Sequence, residues 1–86
     1  MNLVILTPEK EAYSGEITSV KVPGTSGQFE ILSNHAPIVS SLTEGEVRVL
    51  DASGEKKVFT IERGFIEVIN NEVSLLVQGL TASAGE

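Results

Sequence analysis

Short apolar runs, each closed by a turn-forming cluster about every 8 to 12 residues, constrain this chain more than any other feature. Ile17-Thr18-Ser19-Val20-Lys21-Val22 puts Val20 and Val22 on one face and Ser19 and Lys21 on the other, the two-residue period of a half-buried strand. Pro23-Gly24-Thr25-Ser26-Gly27 is expected to break that strand, because proline lacks a backbone donor and glycine admits positive φ. Glu46-Val47-Arg48-Val49 alternates until Asp51-Ala52-Ser53-Gly54 turns the chain. Lys57-Val58-Phe59-Thr60-Ile61 follows and ends at the corner Glu62-Arg63-Gly64. Phe65-Ile66-Glu67-Val68-Ile69 and Glu72-Val73-Ser74-Leu75-Leu76-Val77 flank Asn70-Asn71, a pair suited to the positive φ angles of a tight hairpin. No segment carries a sustained helical stripe, and no internal repeat is present. The pattern predicts an all-β sandwich or barrel.

With 86 residues the chain has room for one core, placed at residues 1–79, and residues 80–86 read as a short, small and polar tail that frays. A chain this short buries only roughly 60 to 65% of its unfolded surface. It contains no cysteine, so neither a disulfide nor a thiolate ligand supplements that core. The start, Met1-Asn2-Leu3-Val4-Ile5-Leu6, lacks a basic leader and its apolar run stops at Thr7-Pro8, so no signal peptide is expected. Nothing approaches the roughly 20 apolar residues of a membrane span, so no direct membrane insertion is expected. The formal net charge of −6 opposes binding to phosphate backbones and to anionic lipid. A protein or a small molecule is the expected partner, not nucleic acid.

Several strands are apolar on both faces: Leu3-Val4-Ile5-Leu6, Phe65-Ile66 and Leu75-Leu76-Val77. In a thin sandwich only one face of each sheet meets the core. The outward side chains are then either covered by sheet curvature or a loop, or they form a protein-binding patch with a polar rim.

The chemistry of an enzyme is sparse. His35 is the single histidine, so neither a histidine cluster nor a cysteine–histidine metal site can be built. Ser33 or Ser40 could be paired with His35 by counting, giving a small hydrolase as the least favoured reading. No Gly-x-Ser-x-Gly elbow exists to expose such a serine. Pro23-Gly24-Thr25-Ser26-Gly27 lacks the Gly-Lys-Ser/Thr ending of a phosphate cradle and reads as a turn. Glu9 and Glu11 read as a solvated pair on one face of a strand, and Lys56-Lys57 as a solvated hairpin flank. No catalytic, cofactor-binding or metal-binding residue is assigned. His35, in the irregular Ser33-Asn34-His35-Ala36-Pro37, reads as a residue that fixes its loop by hydrogen bonding, as an exposed contact, or as both.

Gly27-Gln28-Phe29-Glu30-Ile31-Leu32-Ser33-Asn34-His35-Ala36-Pro37 closely resembles the signature loop of the epsilon subunits of bacterial F-type ATP synthases. Three further segments fall in register: Tyr13-Ser14-Gly15, Thr43-Glu44-Gly45-Glu46-Val47-Arg48-Val49, and Gly64-Phe65-Ile66-Glu67-Val68. Glu44 and Arg63 stand where that family has proline and glycine. Together the segments cover roughly residues 3 to 79.

The resemblance implies a flattened β-sandwich of about ten short strands. It implies a non-catalytic rotor subunit that clasps the gamma subunit and rests on the c-ring, peripheral on the cytoplasmic face of the bacterial inner membrane. It places Gln28, Glu30, Asn34 and His35 towards the c-ring, with Gln28 in place of a common acidic residue. On the gamma side the expected contacts are Val39, Val58 and Thr60, with Phe59 and Ile61 in the core. The family's carboxy-terminal helical pair, which restrains hydrolysis or senses ATP, is not expected within residues 80–86. The alternative is a stand-alone β-sandwich that binds a ligand such as a carbohydrate, although the chain has no tryptophan and one tyrosine, Tyr13, to offer as a platform.

Overall fold

One long strand organises the rest. The computed structural model describes residues 1–83, and β2 (Glu11–Gly24) runs through both layers of the molecule. Around it lie β1 (Asn2–Leu6), β3 (Gly27–Leu32), β4 (Ile38–Leu42), β5 (Gly45–Asp51), β6 (Lys56–Ile61), β7 (Arg63–Ile69), β8 (Glu72–Gln78) and β9 (Thr81–Ser83). The first half of β2 pairs antiparallel with β1, from Asn2↔Glu16 to Leu6↔Glu11. Its second half pairs with β3 on one side and β5 on the other. Strand order runs β1-β8-β7-β4-β2-β5-β6-β9, so β4, β7, β8 and β1 form one layer and β3, β5, β6 and β9 the other. The described residues form an all-β sandwich of nine strands, without helix. Its extents are 28 × 26 × 24 Å.

A bulge makes the shared strand possible. Between Ile17 and Ser19 the β2–β5 register shifts by one residue at Thr18. Ile17 and Val20, three apart, therefore both enter the core, which simple alternation forbids. Beyond the bulge Val20 and Val22 are fully buried, while Lys21 lies on the outer face as the alternation predicts. Leu3, Ile5, Ile31, Ile61, Ile66 and Leu75 complete the centre of the core, each at most 1% exposed. Burial of such a side chain is worth about 1.5–3 kcal/mol.

Four expectations are corrected by the structure. The strand does not break at Pro23: β2 continues through Gly24, and the turn is Thr25-Ser26, entered again at Gly27 with φ 123°. Pro23 is tolerated because the β5 ladder has ended at Lys21, and its carbonyl accepts from the Thr43 N–H at 2.9 Å. Glu9 sits in a turn that the Thr7 hydroxyl closes by accepting from the Glu9 and Lys10 N–H groups, so it shares no strand face with Glu11. Val58 does lie opposite Phe59 and Ile61, yet it is only 5% exposed, because β5 and β9 flank it at Arg48 and Ser83. Residues 80–83 are no fraying tail: Leu80 packs on the core and β9 pairs with Val58, Phe59 and Thr60. The remainder of the expected tail lies outside the described residues.

Candidate interaction surfaces

The outer face of the β4-β7-β8-β1 layer carries apolar side chains in rows that its registers fix, interrupted by Ser41, Glu67 and Ser74. Ser41, Phe65, Leu76 and Leu6 stand side by side across the four strands, and Val39, Glu67, Ser74 and Val4 form the next row. Val39 is 74% exposed, Phe65 56% and Leu76 51%, the most accessible large apolar side chains of this layer. Ile69 extends the face towards the β7–β8 turn. A shallow groove of about 670 Å³ runs along one end, lined by Leu6, Pro8, Ser41, Phe65 and Leu76, with Arg63 and Gln78 at its rim. The doublets Phe65-Ile66 and Leu75-Leu76 explain the pattern: one member fills the core and the other stands exposed on the outer face.

At one end of this face lies the loop joining β3 to β4. Asn34 takes the left-handed conformation with φ 66°, and the His35 N–H donates to the Leu32 carbonyl at 3.2 Å, closing a turn. The His35 ring is half-buried, and its Nδ1 lies 2.7 Å from the Ala36 carbonyl oxygen. A carbonyl only accepts, so Nδ1 carries the proton and Nε2 is the nitrogen left for a partner. The loop-fixing hydrogen bond expected of His35 is thus present, and Nε2 has no hydrogen-bond partner among the described residues.

The residues expected towards the ring do not form one cluster. Gln28 and Glu30 are exposed on the outward side of β3, with Phe29 and Ile31 turned inward. Gln28 lies at the β2–β3 turn, whereas Asn34 and His35 follow the far end of β3, roughly 14 Å further along at 3.4 Å per residue from Gln28 to Leu32. Glu30 stands across from Lys21. The three residues expected towards gamma are also divided. Val39 belongs to the apolar face, while Val58 and the half-buried Thr60 lie on β6 in the other layer. Phe65 and Leu76 were absent from that set, although their signal, an apolar residue out of phase with its buried neighbour, was present in the sequence.

The other layer offers a smaller concavity of about 290 Å³, lined by Lys21, Glu30, Arg48, Lys56 and Val58 among others. Its charges are mixed, and Arg48 is bound to Glu46 at 2.6 Å. An exposed pair of this kind contributes little to stability.

A small sandwich that exposes one apolar sheet face and one polar loop at its end has the make-up of a protein-docking module. The family follows from comparison with known proteins. The chain belongs to the family of the ATP synthase delta/epsilon chain β-sandwich domain, whose model matches residues 1–83. It is 42% identical over 79 residues to the ATP synthase epsilon chain of Chlorobium limicola, covering 92% of this chain and 90% of that one. It is 37% identical over 84 residues to the epsilon chain of Caulobacter vibrioides, covering 98% of this chain and 96% of the relative. Against the epsilon chain of Leptospira borgpetersenii it is 47% identical over 77 residues, yet it spans only 59% of that chain. The fold also matches a chain in the mitochondrial ATP synthase of Euglena gracilis, solved with OSCP, F1 and the c-ring, with a TM-score of 0.85 at 18% identity. That match covers 93% of this chain and 51% of the other.

Proposed function

We propose that this chain is a non-catalytic rotor subunit of an F-type ATP synthase, joining the gamma subunit to the c-ring so that ion translocation is coupled to ATP synthesis. The observation that carries the reading is the exposed apolar face of Val39, Phe65 and Leu76, set against a polar loop that ends only two residues before Val39. Two partners are thereby met by adjoining surfaces of one small rigid body. The apolar face meets gamma, because unpartnered Phe, Leu and Val side chains gain most from being covered by a protein surface. The loop around His35, polar and solvent-facing, meets the hydrated loops of the c-ring through Nε2 and neighbouring amides.

In this reading Val39 keeps its place on the gamma side, and Phe65 and Leu76 replace Val58 and Thr60. The subunit itself makes and breaks no bond. It sits peripherally at the cytoplasmic face of the membrane, held there by its partners. No helix among the described residues is long and apolar enough to cross a membrane.

The test is titration of purified gamma with variants of this chain. Phe65→Glu and Leu76→Glu are expected to weaken binding by at least about ten-fold each, a loss of about 1.4 kcal/mol, while the isolated domain stays folded. Thr60→Glu is expected to change it little. The reverse ranking would move the gamma contact to the other layer.

A further inference from the structure

We propose that Asn71, at the tip of the β7–β8 turn, positions the loop of residues 33–37 for its contact with the c-ring, acting through Asn34. The inference rests on the reading that this loop faces the ring. Asn71 and Asn34 are 37 residues apart in sequence and joined twice in space. The Asn34 N–H donates to Asn71 Oδ1 at 2.6 Å, and Asn71 Nδ2 donates to Asn34 Oδ1 at 3.0 Å. The Asn71 carbonyl also accepts from the Asn2 N–H at 3.0 Å, so the same residue anchors the start of β1.

Geometry makes asparagine the residue for both ends. Asn34 and Asn71 have φ of 66° and 63°, and Asn70 has φ of 50°. Asparagine tolerates this left-handed region while presenting an amide that both donates and accepts. A glycine at position 71 would keep the turn and lose both bonds of the clasp, whereas a glycine at position 34 would keep the N–H bond and lose only the one from Asn71 Nδ2. Asn34 therefore has its backbone N–H and its side-chain oxygen committed within the chain. It is better described as a positioning residue than as a contact, and it hands the partner-facing role to its neighbour. His35 follows directly, and its N–H is bound to Leu32 while its Nδ1 is bound to Ala36. The bonds at Asn34 and His35 hold the chain on either side of the imidazole. The Asn71 clasp ties the Asn34 side of the loop to the β7–β8 turn, as the β4–β7 ladder from Ile38↔Val68 ties its other end to β7. Removing the clasp loosens the Asn34 side of the loop between its two anchored ends, so that the imidazole is no longer held at a set angle to the apolar face.

The experiment uses the full chain bound to gamma and titrated onto purified c-ring, with amide exchange of the free chain followed by NMR. Asn71→Gly keeps the positive φ unstrained and keeps the backbone bond to Asn2. It is expected to speed exchange at the Asn34 amide, to leave gamma affinity unchanged, and to weaken ring binding about five-fold, the worth of an ordinary hydrogen bond. In a His35→Ala background the same change is expected to cost little more, since both act through one contact. Asn71→Asp retains the oxygen to which the Asn34 N–H donates and is expected to restore slow exchange there. If Asn71→Gly leaves ring affinity unchanged while His35→Ala lowers it, the positioning role is overturned and the ring contact stands. If His35→Ala has no effect on ring affinity, the ring contact itself fails, and Asn71 loses this role with it. Fast Asn34 exchange in Asn71→Asp would show that the amide is not held through that oxygen, which also overturns the proposal.

Discussion

A Cβ built on Gly64 would lie 2.5 Å from the Leu76 carbonyl oxygen and 2.8 Å from Val77 Cγ1. The first of these atoms is backbone and cannot rotate away, so β7 can approach β8 this closely only with glycine at position 64. That approach sets Phe65 beside Leu76 on the exposed face. Gly64→Ala is expected to destabilise the domain by about 1–3 kcal/mol, measured by urea denaturation, with loss of gamma affinity alongside. A second residue-scale device is Asp51, whose Oδ1 accepts from the Ser53 hydroxyl at 2.7 Å and from the Ser53 and Glu55 N–H groups at 2.9 Å each. The Ser53 hydroxyl first, then the Glu55 N–H, hold its carboxyl below the ordinary aspartate range. A folded-state pKa that is depressed gives stability above the unfolded value and loses it as pH falls through the folded one. The difference in melting temperature between the wild type and Asp51→Asn is therefore expected to be full near neutrality and to close below about pH 4. A gap that does not vary with pH would remove the carboxylate from that role.

Among the elements, β6 shows what alternation can and cannot report. It gave the correct faces for Val58, Phe59, Thr60 and Ile61, because a strand's side chains must alternate. It could not report depth, since Val58 is covered by strands from elsewhere in the chain. Val58→Ala is accordingly expected to cost about 1–2 kcal/mol of stability, and Val39→Ala, at 74% exposed, less than about 0.5 kcal/mol. Thermal melts of the two variants check the contrast, and equal costs would contradict it. The elements invisible in the sequence share a cause. The first half of β2, Glu11-Ala12-Tyr13-Ser14-Gly15-Glu16, buries no side chain fully and is held by backbone pairing to β1. The short β9 is likewise held by its ladder to β6, and no apolar period announces it. Where burial drives a strand, as at Val20, Val22, Val47 and Val49, the pattern was legible. Where a ladder drives it, only the partner reveals it. The same limit divided the candidate site: the loop was found by its resemblance, but its clasp to Asn71 depends on a contact across 37 residues that no local pattern encodes.

At the scale of the whole molecule, the account is that two adjoining surfaces hold two partners while the other layer holds neither. The absence of cysteine from the 86 residues makes this directly measurable, because any introduced thiol is unique in the chain. Single-cysteine variants Phe65→Cys, His35→Cys and Thr60→Cys, assembled into an ATP synthase and treated with a short photoactivatable thiol cross-linker, report what each position touches. The account predicts that Phe65→Cys cross-links to gamma, His35→Cys to the c-ring, and Thr60→Cys to neither. Cross-linking of Thr60→Cys to gamma with none from Phe65→Cys would contradict it.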